Sequence, residues 1–402
     1  MDAYFLDWAN LLMRWLHVIT AIAWIGSSFY FVFLDNNLLA PTAEDLKAKG
    51  ADGAIWSVHG GGFYHMQKYM VSPKGGIDSH LHWFYWESYW TWISGFLLFC
   101  VLYLWNAGIF LVDRQVHDWS GTAAGIGAVA FIAAFWFIYD AVCHVFGKGK
   151  NGDRVVGLLV ILTIAITSWI AFHFFSGRAA FLLVGASMAT AMSANVFFVI
   201  IPGQRKVVAA MTSGQPYNPA DYAIYGKRAK QRSVHNTYFT LPVLIAMLSN
   251  HYTFIYSSEH RWVLLLLLML AGALIRQFFV QRHGWKLGRA ANPWPFAAIG
   301  VVVLLGLIAW LKPAPVAPVA GVPATVDYAQ LKPVLEQRCY MCHGDAVQQK
   351  GLRFDSEEQV KMHAPDIYQQ VVVTKQMPLS NATQMTDAER AMLAQWFKGL
   401  GK

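Results

Sequence analysis

The sequence predicts an all-α protein: an eight-helix transmembrane bundle followed by a small C-terminal domain of different character. Three observations carry that prediction. The 402-residue chain is 56% hydrophobic and 15% aromatic but only 13% charged, and its mean hydropathy is +0.37, which excludes a disordered or ordinary soluble chain. Eight windows are apolar over the roughly 20 residues that a helix needs to cross a bilayer. After the last window the composition turns polar, and "EQRCYMCHGDA" at 336–346 holds a C-x-x-C-H motif.

The eight windows are 10–35, 82–106, 121–146, 155–175, 179–202, 236–257, 261–283 and 294–311. Lys and Arg in the connections orient them, because basic loops stay in the cytoplasm. The odd connections carry sixteen: Lys47, Lys49, Lys68, Lys74; Lys148, Lys150, Arg154; Arg205, Lys206, Lys227, Arg228, Lys230, Arg232; Arg282, Lys286 and Arg289. The even connections carry three, Arg114, Arg178 and Arg261. Both termini are therefore expected outside the cytoplasm. The net charge of +8 reads as a topology signal, not as a footprint for nucleic acid. The start, "MDAYFLDWANLLMRW", has two acids before its first base and lacks the basic region of a signal peptide, so the first window reads as a retained helix.

Residues 1–311 thus form one membrane domain, and 312–324, "KPAPVAPVAGVPA", follow as a tether. Its prolines at 313, 315, 318 and 323 favour an extended polyproline-like strand, about 40 Å long at most. The polar domain is 325–402. Within it Thr386 and Glu389 form a capping box ahead of "RAMLAQWFKGL".

Cys100 and Cys143 lie in apolar runs, so Cys339 and Cys342 are the chemical pair. Two thiols three residues apart followed by His343 suit covalent attachment of haem c, with His343 as an axial ligand. A zinc site would need further ligands, and beyond His343 the tail offers only His363. A thioredoxin-type motif would need a βαβ context. The expected sixth ligand is Met377 in "TKQMPLSN", where Pro378 holds the backbone irregular. Haem c attachment takes place outside the cytoplasm, where the charge count had already put this end.

Ionisable groups inside spans are costly and mark function by default. An outer layer holds His17, His173 and His251, with Arg14 nearby. Pairs of these histidines could ligate a non-covalent haem b, or each could simply bond a neighbouring helix. An inner layer holds His80, His82, Glu87, Asp140, His144, His235, Arg276, Arg282 and His283. The stretch "VHGGGFYHMQKYM" at 58–70 puts three glycines beside His59, His65 and Lys68. It reads either as a cradle for a planar or anionic ligand or as a plain loop. Without a Walker Lys-Ser/Thr pair it is not a nucleotide site.

Together "WIGSSFYFVFLDNNL", "VHGGGFYHMQKYM", "HLHWFYWESYWTWISG" and the C-terminal "CYMCHG" resemble the bacterial membrane-bound cytochrome c urate oxidases, over essentially the full length. The resemblance implies oxidation of urate to 5-hydroxyisourate in purine catabolism, with electrons leaving through a C-terminal class I-like cytochrome c domain to a downstream cytochrome c or terminal oxidase. Urate is a planar anion, so its site needs a cation, a stacking ring and a base. Arg276 or Lys68, then Trp83, Tyr85 and Trp86, then Glu87, Asp140 or His82 meet those needs on the inner side. A quinol-oxidising cytochrome or a transporter with a tethered cytochrome are the competing expectations.

Overall fold

The computed structural model describes residues 3–400 except 71, 75, 79, 214, 216, 217, 257 and 313–320. Most of the expected tether, including Pro313, Pro315 and Pro318, lies outside the described residues.

Helix α1 (Ala3–Asn37) is followed by a short α2 (Glu44–Lys49) and two strands, β1 (Gly53–His59) and β2 (Gly62–Lys68). Helix α3 (Trp86–Phe99) runs through a π-turn at Cys100–Leu104 to α4 (Ala107–Phe110). Then come α5 (Gly121–Phe146), α6 (Gly152–Phe174) and α7 (Gly177–Ala194), which continues through a second π-turn into α8 (Ile201–Thr212). Helices α9 (Pro219–Leu248), α10 (Thr253–Tyr256), α11 (Arg261–Lys286) and α12 (Trp294–Trp310) complete this part. The polar tail folds as α13 (Tyr328–Arg338), α14 (Tyr340–His343), α15 (Glu357–Met362), α16 (Ala364–Tyr368) and α17 (Asp387–Leu400).

Each of the eight apolar windows holds a helix. Five helices are long and apolar enough to cross a membrane: Tyr4–Asn37, Gly121–Phe146, Gly152–Phe174, Gly177–Thr212 and Arg261–Lys286, with α12 a shorter apolar one. Helix α9 departs from the expected window in a way that matters. It begins at Pro219, capped by Asn218 Oδ1 accepting from the Ala220 amide at 3.2 Å, so the basic run from Lys227 to Arg232 lies on a helix and not in a connection. A capped helix propagates through polar sequence as readily as apolar sequence, and the hydropathy window registers only its apolar part.

The helices pack around a core that includes Phe135, Tyr139, Val156, Phe181, Met188, Phe239 and Leu264. Helices α7 and α9 meet at Gly185, where a Cβ would stand 2.8 Å from that of Ala246, a small-residue contact of the kind that lets apolar helices approach. The odd connections gather at one end, where Asp35 pairs with Lys68 at 2.6 Å and Lys230 at 3.4 Å, and Arg289 reaches the Leu38 carbonyl at 2.8 Å. The opposite end gathers Tyr103, Arg178 and Asn250. There the turn 379–381 of the tail comes within 8 Å of α4, Cα to Cα.

The tail has a core of its own, including Leu331, Leu335, Val360, Ile367, Leu393 and Trp396. The expected capping box is present: the Thr386 amide donates to Glu389 Oε2 at 2.6 Å, and the Glu389 amide to Thr386 Oγ1 at 3.3 Å.

The glycine-rich stretch corrects both readings of 58–70. It is neither a cradle nor a plain loop but half of an antiparallel hairpin in which His59 pairs with Gly62 and Trp56 with His65. Gly60 and Gly61 are its two-residue turn, with φ of +59° and +80°, the conformation a tight hairpin asks of both central residues. Trp56 and His65 stack at 4.3 Å across the strands. Replacing Gly61 by valine should cost about 1–3 kcal/mol of local stability. Backbone amides of 53–68 should then exchange faster with deuterium while those of α7 do not; equal protection in the variant would contradict this account of the turn.

Candidate functional site

Helix α9 carries a polar group on each of two faces. Arg232 and Thr237 are five residues apart, about 140° around the helix, so they look toward different neighbours.

On one face stands Arg276 of α11, 0% exposed. Its Nε donates to the Thr237 carbonyl at 3.2 Å, and Nη2 to the Ser28 carbonyl at 3.3 Å and Ser28 Oγ at 3.1 Å. The guanidinium lies 3.5 Å from the Phe29 ring centroid. Its Nη1 is buried and has no partner, and among the described residues no carboxylate pairs with it. Beside it the Tyr238 hydroxyl bonds Gln277 Oε1. A charge taken out of water without an anion is costly, and a guanidinium presents a planar fork suited to planar anions.

On the other face Arg232 is bound to Asp140 at 2.6 Å, with side chains 5% and 40% exposed. Arg232 Nη1 donates to Asn195 Oδ1 at 3.2 Å. Asn195 Nδ2 donates to the Tyr139 hydroxyl at 2.9 Å and to Asn236 Oδ1 at 2.8 Å. Tyr139 in turn contacts His235 Nδ1 at 2.8 Å. This network satisfies its own members. Sequence reasoning counted Arg232 only as a connection charge. The signal that could have found it is the spacing of Arg232, His235, Asn236 and Phe239, which share one helical face.

The four expected catalytic residues therefore divide. His82 is exposed, its ring 4.5 Å from Phe84, and Phe84 packs at 4.8 Å on Phe31, one turn from Ser28 and Phe29. Glu87 sits in the first turn of α3, the helix that packs along α1, and among the described residues its carboxylate has no hydrogen bond or ion pair. Arg276 reaches α1 at Ser28, His82 approaches it through Phe84 on Phe31, and Glu87 lies on the helix packed along it. Asp140 does not join them, because α9 lies between. Lys68, the alternative cation, is occupied by Asp35.

The outer histidines also separate. His17 Nδ1 faces the Thr91 carbonyl at 3.0 Å. A carbonyl only accepts, so Nδ1 carries the proton and Nε2 keeps its lone pair. His17 lies against Gly95, where a Cβ would stand 2.7 Å from the ring. His251 is exposed in a 3₁₀ turn, within electrostatic reach of the same Arg14 that acts on His17. His173 is exposed, its ring tilted 39° against that of Trp169 of its own helix with centroids 4.0 Å apart, and with Nδ1 on the Trp169 carbonyl. Among the described residues, no three His, Cys, Asp or Glu form a metal cluster; His173 turns to its own helix, while Arg14 acts on both His17 and His251.

In the tail, Cys339 and Cys342 are free thiols, and burial pushes the Cys339 thiol up to about 12. His343 Nδ1 donates to the Leu352 carbonyl at 3.3 Å, which fixes the tautomer and leaves Nε2 as a ligand. Burial holds this imidazole below its ordinary range, hence neutral. Met377 packs half-buried on the same core as Cys339, and its carbonyl is held by Arg390 Nη1 at 2.8 Å. Met362 is exposed, and Met385 is buried inside the core. Two adjacent thiols, a ligand-ready imidazole and a half-buried thioether on one core make a donor set that fits haem c. The described tail holds no strand, so a βαβ thioredoxin context is missing.

The fold is that of a largely apolar helical protein with five helices long and apolar enough to cross a membrane. Residues 3–312 match the family described as urate oxidase N-terminal, and the chain belongs to that family. No curated protein and no solved structure gives a match.

The Arg232–Asp140 pair makes a structural prediction. Asp140→Ala leaves a nearly buried guanidinium without its anion and should destabilise the protein by about 2–3 kcal/mol. Asp140→Asn, which keeps an acceptor, should cost less. Thermal unfolding of the purified variants checks the order; equal losses would contradict it.

Proposed function

We propose that the protein is a membrane-bound oxidoreductase that converts urate to 5-hydroxyisourate. Its eight-helix bundle binds urate at Arg276, and electrons leave on the opposite side through haem c on Cys339 and Cys342. The observation that carries the proposal is Arg276 itself, in a chain whose family is named for urate oxidation. Urate monoanion supplies the missing charge, its ring edges alternate N–H donors with carbonyl acceptors, and Gln277 and Tyr238 offer both kinds of partner beside the guanidinium.

The reaction consumes urate and water and yields 5-hydroxyisourate, two electrons and two protons. Arg276 holds the anion and stabilises negative charge on the ring. Glu87, the carboxylate on α3 without a partner among the described residues, takes a proton from the attacking water, and the exposed His82 passes it on to solvent. Asp140 stays bound to Arg232 and supports the helix packing. Cys339 and Cys342 would hold haem c, which would supply one-electron transfer toward a downstream cytochrome c or terminal oxidase. His343 and Met377 would hold its iron. His17, with Nε2 unengaged, and His251 would hold a non-covalent haem b on the path across the membrane; His173 would not.

The sidedness supports this arrangement. The connections rich in Lys and Arg gather at the end nearer Arg276, which reads as cytoplasmic. The tail approaches the other end, where haem c is attached in the periplasm.

Anaerobic addition of urate to the purified protein should reduce its covalent haem, one urate delivering two electrons. Arg276→Gln should lower kcat/KM for that reduction about 100-fold while the haem spectrum with dithionite stays unchanged. Full turnover in the variant would overturn the assignment of Arg276, and no reduction of the wild type by urate would overturn the function.

A further inference from the structure

We propose that the cavity between α5, α8 and α9 is a binding site for an anionic phospholipid. It has a volume of about 690 Å³ and lies on the face of α9 turned away from Arg276. Five cations line it: Lys148, Lys206, Lys227, Arg228 and Arg232. Asp140 is the single carboxylate in the wall, and it is bound to Arg232. Among the described residues none of the other four has an ion pair, so the rim presents four uncompensated positive charges. Lys206 Nζ lies 5.1 Å from the Tyr225 ring, a weak hold that a phosphate would outcompete.

The remaining wall decides between a soluble anion and a lipid. Trp136, Phe137, Phe198 and Val199 line the same cavity, and Phe137 and Phe198 are 69% and 62% exposed. Both sit on helices apolar enough to cross a membrane. From Phe198 to Lys206 is eight residues of continuous helix, about 12 Å of rise. The cavity therefore offers cations at headgroup level and exposed rings at acyl level. A phosphodiester headgroup with its chains uses both; a small soluble anion uses the cations and leaves the rings bare. The cations also lie at the end that collects the basic connections, where the cytoplasmic leaflet places its anionic headgroups. Such a lipid would bridge α5, α8 and α9 and complete the packing behind the Arg232 network.

This inference does not rest on urate chemistry, and its test reads lipid binding alone. The full-length haem-loaded protein, delipidated in detergent, is titrated with dioleoyl phosphatidylglycerol, dioleoyl phosphatidylcholine, glycerol 3-phosphate and urate. Native mass spectrometry and thermal unfolding follow the binding. Phosphatidylglycerol should bind and raise the unfolding temperature; phosphatidylcholine and glycerol 3-phosphate at equal concentration should not. The triple variant Lys206→Gln, Lys227→Gln, Arg228→Gln, all at exposed positions, should lose at least about tenfold in phosphatidylglycerol affinity. Its unfolding temperature in phosphatidylcholine serves as the folding control, and if it fails to fold, Lys206→Gln alone is measured the same way. Undiminished phosphatidylglycerol binding by the variant would overturn the proposal. Equal binding of glycerol 3-phosphate would make the cavity a soluble-anion site, and displacement of the lipid by urate would make it the substrate site; either result overturns it.

Discussion

The apolar part of this protein is organised around one interaction that is incomplete. Arg276 ties three helices together: its own α11, α1 through Ser28 and α9 through Thr237. The Phe29 ring beneath it supplies a further favourable contact for a cation. Those partners are neutral, and Nη1 has none. Removing the charge from water costs several kcal/mol that neutral hydrogen bonds offset only in part. The anion proposed for this site would complete it, so the same residue would serve both packing and binding.

Close packing lets that arrangement exist. Gly272 brings α11 against Leu241 and Pro242 of α9, with the nearest atom 3.2 Å from where a Cβ would be. Gly300 brings α12 against Ala271 and Ile275 of α11 in the same way. The hairpin braces the inner end of α1 through Lys68 and Asp35. The two faces of α9 then divide the labour. One helps to hold the unpaired guanidinium, and the other carries a self-satisfied network that fixes the helix against α5 and α7.

The sequence was legible where the chemistry is local. Apolar windows located the helices because a span must be apolar over its own length, and the C-x-x-C-H spacing put Cys339, Cys342 and His343 on one helical turn. The capping box at Thr386 and Glu389 was legible for the same reason. What failed was non-local or disguised. The glycine run at 60–62 reads as either a ligand cradle or a plain loop, although "GAIWSVH" and "GFYHMQK" around a two-residue Gly-Gly turn carry a hairpin pattern. Arg232 was counted as a loop charge because a hydropathy window cannot see a capped helix continue into polar sequence. Asp140 was grouped with Arg276 because both are ionisable and on the inner side, and only the packing of α9 between them separates the two. His173, at the same depth as His17 and His251, turns instead to Trp169 of its own helix.

The central claim is that the substrate anion completes Arg276. Its most direct test is calorimetric titration of urate into the anaerobic protein with its haem fully reduced, so that binding occurs without turnover. The account predicts one urate per chain for the wild type and loss of that binding in Arg276→Gln, with the variant folded as judged by its unfolding temperature. Unchanged urate affinity in the variant would contradict it.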